Sequence, residues 1–450
     1  MPPRSLAAFL KAARAALNTP AARRPSPLTI VVGNESADLD SLCSAVLAAY
    51  FRSHTPQHNA ADTLHIPLSN LRREDLKLRP ELAAALSSTS SSKQTSDAPG
   101  ISLDSLITLS DLPEDLTAAD TRWLLVDHNA LTGELARRFS SSVIGCIDHH
   151  VDEGSVPLPD ASKGFGPRVI EKAGSCASLV INEFSASTAM AADTADMTAL
   201  KYIWSRLAAE EPDVETDRTL ARLTLAPILI DTSNLKSPSK TVDIDRQSTS
   251  LAEAVLGVTA GGNAPLFPYD KDPEYERTVF FEELSRLKDD ISKLSYNDIL
   301  RKDYKQWHEE PSTATSGQTP LALGMSTVVQ GFDYLLNEIG DNETLFEELR
   351  AFAKHRDLDI AAIMTVQTDK KAGFGRQLLI WAFNERATRA MRIFVGTNTE
   401  RLQLAPWGDG KLDKGIATEP NEWRACWTQG SLEYSRKQLA PYLREAMRSS

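Results

Sequence analysis

The chain has 450 residues, too many for one compact core and enough for two or three domains. Hydrophobic residues make up 42% and charged residues 24%, an ordinary globular balance, and no apolar run reaches the length that spans a bilayer. The formal charge of −12 argues against a nucleic-acid partner but leaves room for a polyanionic ligand where metal ions or local Lys/Arg groups reverse the field.

In chain order, "MPPRSLAAFLKAARAALNTPAARR" comes first and holds no acid before Glu35. It reads as a helical extension (1–26) packed on the domain after it, and its Ala/Arg-rich composition also suits mitochondrial import. "PLTIVVG" (27–33) is a β-branched run closed by Gly, followed by a polar loop. Leu42, Ala45, Val46 and Ala49 then recur at helical spacing. Further apolar runs at 63–68, 122–129 and 141–150 each close in polar residues, with helical stretches at 175–184 and 223–234. Alternating strands and helices imply a parallel sheet covered on both faces, an α/β domain over 27–262. "LSSTSSSKQTSDAPG" (86–100) reads as a solvated loop. Pro, Gly and polar residues mark a linker at 263–274. A second, smaller α/β domain is expected over 275–450, opening with a charged helix and ending in "SLEYSRKQLAPYLREAM". Cys43, Cys146, Cys176 and Cys426 are far apart and form no CxxC pair, so a reducing compartment is the default.

Five short motifs carry the chemistry: "GNESADLDS" (33–41), "VDHN" (126–129), "IDHH" (147–150), "PRVIEKAGSCAS" (167–178) and "IDTSN" (230–234). They bring Asp38, Asp40, Asp127, Asp148, His149, His150 and Asp231 to the ends of strands and helices. Each Asp alone also reads as a helix cap, Asp38 above all. Together they form a set that repels itself. Four crowded carboxylates would raise one another's pKa values, and two divalent cations at +4 would balance Asp38, Asp40, Asp127 and Asp231 at −4. Hard oxygens with a few imidazoles suit Mg²⁺, Mn²⁺ or Co²⁺. A two-metal site needs a shared ligand between ions about 3.5–4 Å apart. A carboxylate can bridge, and Asp127 is chosen because its strand should lie centrally.

In this order the motifs resemble the DHH phosphoesterase superfamily, most closely its fungal exopolyphosphatase branch, related to the prune proteins and the family II inorganic pyrophosphatases. "LRKDYKQW" (300–307), "LGMSTVV" (323–329) and "SRKQLAP" (435–441) resemble the DHH-associated C-terminal domain. The resemblance implies a metal site in a cleft between two domains. Asn34, Asp38 and Asp127 would hold one ion, and Asp40, Asp127, His149 and Asp231 the other. His150 would face the phosphate and Asp148 would orient the histidines. Arg436 and Lys437, with Lys305 and Arg168, would contact phosphate oxygens. Family II pyrophosphatases carry His where this chain has Asn34, so the resemblance favours Mg²⁺ and the longer-chain phosphatase.

The expected activity is metal-dependent hydrolysis of the terminal phosphoanhydride bonds of inorganic polyphosphate, releasing orthophosphate, with water as nucleophile and Asp127 or another ligand carboxylate as proton acceptor. The alternatives are a pyrophosphatase, a nucleotide phosphodiesterase, or a prune-like scaffold without activity. A cytoplasmic monomer is expected, with no membrane or nucleic-acid partner.

Overall fold

The computed structural model describes residues 2–55, 64–87, 101–186, 202–258, 267, 269–312, 319–369, 373–414 and 421–450. The chain forms two compact units, Met1–Lys288 and Asp289–Ser450.

The first unit is built on six parallel strands: β1 (Leu28–Val32), β2 (His65–Ser69), β3 (Ile107–Thr108), β4 (Thr121–Val126), β5 (Val143–Asp148) and β6 (Arg168–Ile170). Their order is β3-β2-β1-β4-β5-β6. The helices are α1 (Leu6–Leu17), α2 (Leu39–His54), α3 (Pro80–Leu86), α4 (Gly133–Phe139), α5 (Cys176–Ala186), α6 (Tyr202–Glu210), α7 (Val214–Asp231), α8 (Asp243–Val255) and α9 (Arg277–Asp289). β1 is buried along its whole length, as a central parallel strand must be. Its side chains alternate between two cores. Val31 joins Leu124, Val126 and helices α2, α5, α7 and α8, while Ile30 and Val32 join Trp123, Leu125 and Phe139 on the other face. Every residue of α2 is buried, which explains a middle that is apolar on nearly all sides, with polar residues gathered in its first and last turns.

The strand order reverses between β1 and β4. In doubly wound sheets the crevice outside the carboxyl ends at that switch point is where ligands bind. The loops after β1 and β4 carry Asn34, Asp38 and Asp127, so the topology alone brings two of the five motifs together. Gly33 makes this possible at close range, because a Cβ there would lie 2.6 Å from Ser41 Cβ.

The expected strands appear as β1, β2, β4 and β5. β3 and β6 are two- and three-residue edge strands, too short to show a period. The N-terminal segment is a helix whose Leu6, Phe9, Leu10, Ala13 and Leu17 are buried. Residues 88–100 of the expected polar loop, and 263–266 and 268 of the expected linker, lie outside the described residues. The remainder of that linker region is pinned to the first unit by Tyr269 Oη–H to Asp217, Arg222 to Asp272 and the Arg277–Glu253 pair.

In the second unit, β7 (Tyr304–Glu309), β8 (Leu321–Val328), β9 (Ile360–Asp369), β10 (Gly373–Ala382), β11 (Leu404–Pro406) and β12 (Trp423–Gln429) stand in the order β11-β12-β10-β9-β8-β7. Only β8 and β9 run parallel. Helices α10 (Tyr296–Lys302), α11 (Phe332–Tyr334) and α12 (Asn342–His355) share one core with Leu379 and Trp381. α13 (Glu385–Leu402) and α14 (Arg436–Arg448) share the other with Leu378 and Ile380. Among the described residues no helix is long and apolar enough to cross a membrane.

Candidate functional site

Asp127 is the first residue beyond β4, held in the left-handed region at φ 60. Asp adopts this conformation more readily than most residues, at a cost of about 1 kcal/mol. The turn buries its carboxylate and divides the two oxygens. Oδ2 accepts the Asn34 Nδ2–H at 2.9 Å and the Ser41 Oγ–H at 2.7 Å. Oδ1 faces His149 Nε2 at 3.1 Å and His150 Nδ1 at 3.6 Å.

The two histidines follow Asp148, the last residue of β5. Asp148 Oδ1 accepts the backbone N–H groups of His149 at 2.8 Å and His150 at 3.1 Å, and the His150 Nδ1–H at 2.7 Å. Asp148 Oδ2 accepts from Asn129 Nδ2 at 2.6 Å. His149 Nδ1 lies 3.0 Å from Ala173 O. A carbonyl only accepts, so Nδ1 carries a proton and Nε2 is the nitrogen turned to the cluster, donating to Asp127 Oδ1 when protonated and free to ligate a metal when it gives that proton up.

Asp40 lies in the first turn of α2 and is bound by the start of α5. Its Oδ1 accepts from Ser175 Oγ at 2.7 Å, Ala177 N at 3.0 Å and Ser44 Oγ at 3.2 Å. Oδ2 accepts from Cys176 N at 2.6 Å and sits 3.9 Å from His149 Nε2. Asp38 is exposed and caps α2, its Oδ1 accepting the Ser41 N–H at 3.0 Å, so the capping reading of this residue is realised. Asp231 ends α7 and interacts with Asp38, Asp127 and His149 through its charge.

The electrostatics are those of a crowded anionic site. Burial, then the charges of Asp127 and Asp231, push Asp40 well above the ordinary carboxylate range. Burial also pushes Asp231 up to about 6, with Lys288 opposing and Asp38 adding to the shift. Burial opposes the ionisation of Asp127 as well, yet the His149 hydrogen bond, both imidazole charges and the Ser41 hydroxyl hold its carboxyl well below the usual range. Burial works the same way on Asp148, which the His150 hydrogen bond keeps low. Ionised Asp127 beside two carboxyls that resist ionisation is a field that a divalent cation relieves. Among the described residues, one ligating atom each from Asp127, His149 and His150 lies within 4.8 Å of the others. The donor set of carboxylates and imidazole fits such an ion.

Asn34 is placed differently from a simple ligand. Its Oδ1 accepts the Ser36 N–H at 2.9 Å and its Nδ2 faces Asp127, so ligation through oxygen would require the amide to turn over. Arg168 lies on β6 with one nitrogen 2.5 Å from Asp152 Oδ2. Arg436, Lys437 and Lys305 belong to the second unit. Arg436 and Lys437 open α14, Lys305 lies on β7, and Arg436 donates to Asp303 O at 3.0 Å and pairs by charge with Asp303 Oδ1 at 2.8 Å.

Four residues that support the site carry little signal in the sequence. Ser41 and Ser175 look like helix-start serines, and Asn129 like a turn residue. Arg79 has no local signature, yet it donates to Ala37 O at 2.7 Å and Ser36 O at 2.5 Å, fixing the loop between Asn34 and Asp38.

The family model for the DHH family, N-terminal domain, matches residues 29–205, and that for the DHHA2 domain matches 282–446. A Schizosaccharomyces pombe protein named "Putative exopolyphosphatase" is 29% identical over 435 residues, 96% of this chain and 94% of the relative. The mouse protein "Exopolyphosphatase PRUNE1" is 26% identical over 441 residues, 98% of this chain and 78% of its own. A solved structure of a "Methanococcus jannaschii putative family II inorganic pyrophosphatase" superposes with a TM-score of 0.48 at 18% identity, covering 93% of this chain and 99% of that one.

Proposed function

We propose that this chain, which belongs to the DHH superfamily, is an exopolyphosphatase that releases orthophosphate from the ends of inorganic polyphosphate with two divalent ions, Mg²⁺ by preference. The observation that carries this reading is the convergence of His149 Nε2 and His150 Nδ1 on Asp127 Oδ1 at the switch point of a doubly wound sheet. The names of the relatives, which match 96–98% of the chain, support the choice of substrate.

Asp40, Asp127, His149 and Asp231 would hold one ion, and Asp38, Asp127 and Asn34, through its turned amide oxygen, the other. Bound divalent ions lower the proton affinity of a water and neutralise charge on phosphoryl oxygens. The residues supply the remainder. Asp127, or another ligand carboxylate, would accept the proton that the attacking water gives up. His150 is fixed through Nδ1 by Asp148, which leaves Nε2 for a phosphate oxygen. Arg168, Lys305, Arg436 and Lys437 neutralise the departing phosphate and the residual chain, the arginines through a bidentate fork. Four free, buried cysteines support the reading of a protein of a reducing compartment.

Phosphate release from pyrophosphate, tripolyphosphate, long polyphosphate and a cyclic nucleotide, each with Mg²⁺ or Mn²⁺, tests the proposal. Polyphosphate should be the preferred substrate and Mg²⁺ sufficient. Preference for pyrophosphate or the nucleotide would overturn the substrate assignment, and no release from any of them would leave a binding protein.

A further inference from the structure

We infer that Asp245 is a positioning residue for the metal centre, acting through the turn at residues 173–177. The inference rests on the two-metal reading of the site and concerns the contacts that hold the site in shape. Asp245 is fully buried near the start of α8. Its Oδ2 accepts the Val242 N–H at 2.9 Å, the local bond by which a third helical residue reaches back to the N-cap backbone. Capping does not account for its other partners. The Gly174 N–H reaches both carboxylate oxygens at 3.1 and 3.0 Å, and Ser178 Oγ donates to Oδ1 at 2.7 Å. These donors lie 71 and 67 residues away in sequence.

The turn that Asp245 grips presents two ligands. Ala173 O takes the His149 Nδ1–H, and Ser175 Oγ, Cys176 N and Ala177 N bind Asp40. The same turn lies against the chain just beyond Asp231, since a Cβ on Gly174 would come within 2.5 Å of Thr232 Cγ2 and 2.8 Å of Asp245 Oδ2. One carboxylate therefore sets the orientation of His149 and Asp40 and the spacing to the end of α7. An amide replaces it imperfectly, because in either orientation its NH₂ would lie against the Gly174 N–H.

Mn²⁺ binding followed by electron paramagnetic resonance, with thermal melts on the same samples, tests this on the full chain. Asp245→Asn should fold and bind Mn²⁺ about 10- to 100-fold more weakly, the loss typical of groups that orient ligands. Gly174→Ala should do the same. Leu251→Ala, on the same helix but in the apolar core, should lower the melting temperature and leave Mn²⁺ affinity unchanged. If the wild type binds Mn²⁺ and folded Asp245→Asn binds it equally well, the inference fails and the site stands. An equal loss in Leu251→Ala also defeats it, by making the effect one of stability. If the wild type does not bind Mn²⁺, the metal reading itself fails. Should Asp245→Asn not fold, Ser178→Ala removes one of the same bonds without stranding a charge, and wild-type affinity in that variant overturns the inference.

Discussion

The side-chain amide of Asn34 donates to Asp127 Oδ2 across 2.9 Å, and so couples the loop after β1 to the loop after β4. With Ser41 Oγ on the same oxygen, Oδ2 has two donors and Oδ1 is left to face both imidazoles. In this arrangement one carboxylate oxygen is held by two donors and the other faces the imidazoles, and the second is the oxygen that the proposed bridging role would use.

Asp127→Asn tests that role. It keeps the size of the side chain but sets an NH₂ against either Asn34 and Ser41 or the imidazoles, and it removes the charge that balances a cation. Phosphate release should fall by at least about 100-fold, more than the loss caused by partners that only orient ligands. The circular-dichroism spectrum should stay that of the wild type. Full activity in the folded variant is the outcome that sinks the bridging role.

Asn34→His probes the metal preference. Imidazole binds first-row transition metals more strongly than an amide oxygen does, and Mg²⁺ less well. The variant should bind Mn²⁺ and Co²⁺ more tightly, by calorimetric titration, while its Mg²⁺-supported rate falls. Unchanged affinity for all three ions would show that position 34 serves Asp127 alone.

Most of the fold was legible because strands and helices of ordinary length carry their own periods, and the acids stood where strands ended. The convergence of Asp127, Asp148, His149 and His150 follows directly from the parallel order, since all parallel strands present their carboxyl ends at one edge. The features that could not be read depend on partners remote in sequence. Arg79 and Asp245 look like any charged residue near a helix start, and their roles come from carbonyls and amides 42 and 71 residues away. The facing of the Asn34 amide is set by Ser36 and Asp127 together, which residue type alone does not specify.

The second unit offers a pH test with a definite sign. Arg350 donates to both oxygens of Glu422 at 2.6 and 2.9 Å, and Lys414 lies 3.2 Å away. The Arg350 hydrogen bonds, against some burial and with help from Lys414, lower the Glu422 carboxyl from 4.5 to about 2. The folded value lies below the unfolded one, so the stabilisation is complete above pH 4.5 and is lost as pH falls toward 2. After screening it should amount to about 1 kcal/mol. Urea unfolding of wild type and Glu422→Gln should differ by this amount at pH 6 and converge by pH 2–3. A difference that does not change with pH would rule out the ion pair as its source.

The N-terminal helix is fastened to the first unit by a buried charge pair, and its removal should be felt throughout that unit. Arg4 Nη2 lies 2.6 Å from Asp217 Oδ2, with the two side chains 8% and 0% exposed. Arg4 Nη1 donates to Tyr50 Oη at 2.5 Å, and Tyr269 Oη donates to the same Asp217 oxygen at 2.5 Å. Breaking such a pair strands a buried carboxylate and costs about 3–5 kcal/mol, whereas replacing both partners by apolar groups recovers much of that loss. Arg4→Met should therefore destabilise strongly in urea, and Arg4→Met combined with Asp217→Leu should be more stable than the single variant. Burial favours the protonated form of Asp217, and Arg4 opposes it, so the single variant should also gain stability as pH falls and the stranded carboxyl takes up a proton. A loss below about 0.5 kcal/mol in Arg4→Met, the level of an ordinary surface change, would mean that the helix is held by its apolar face alone.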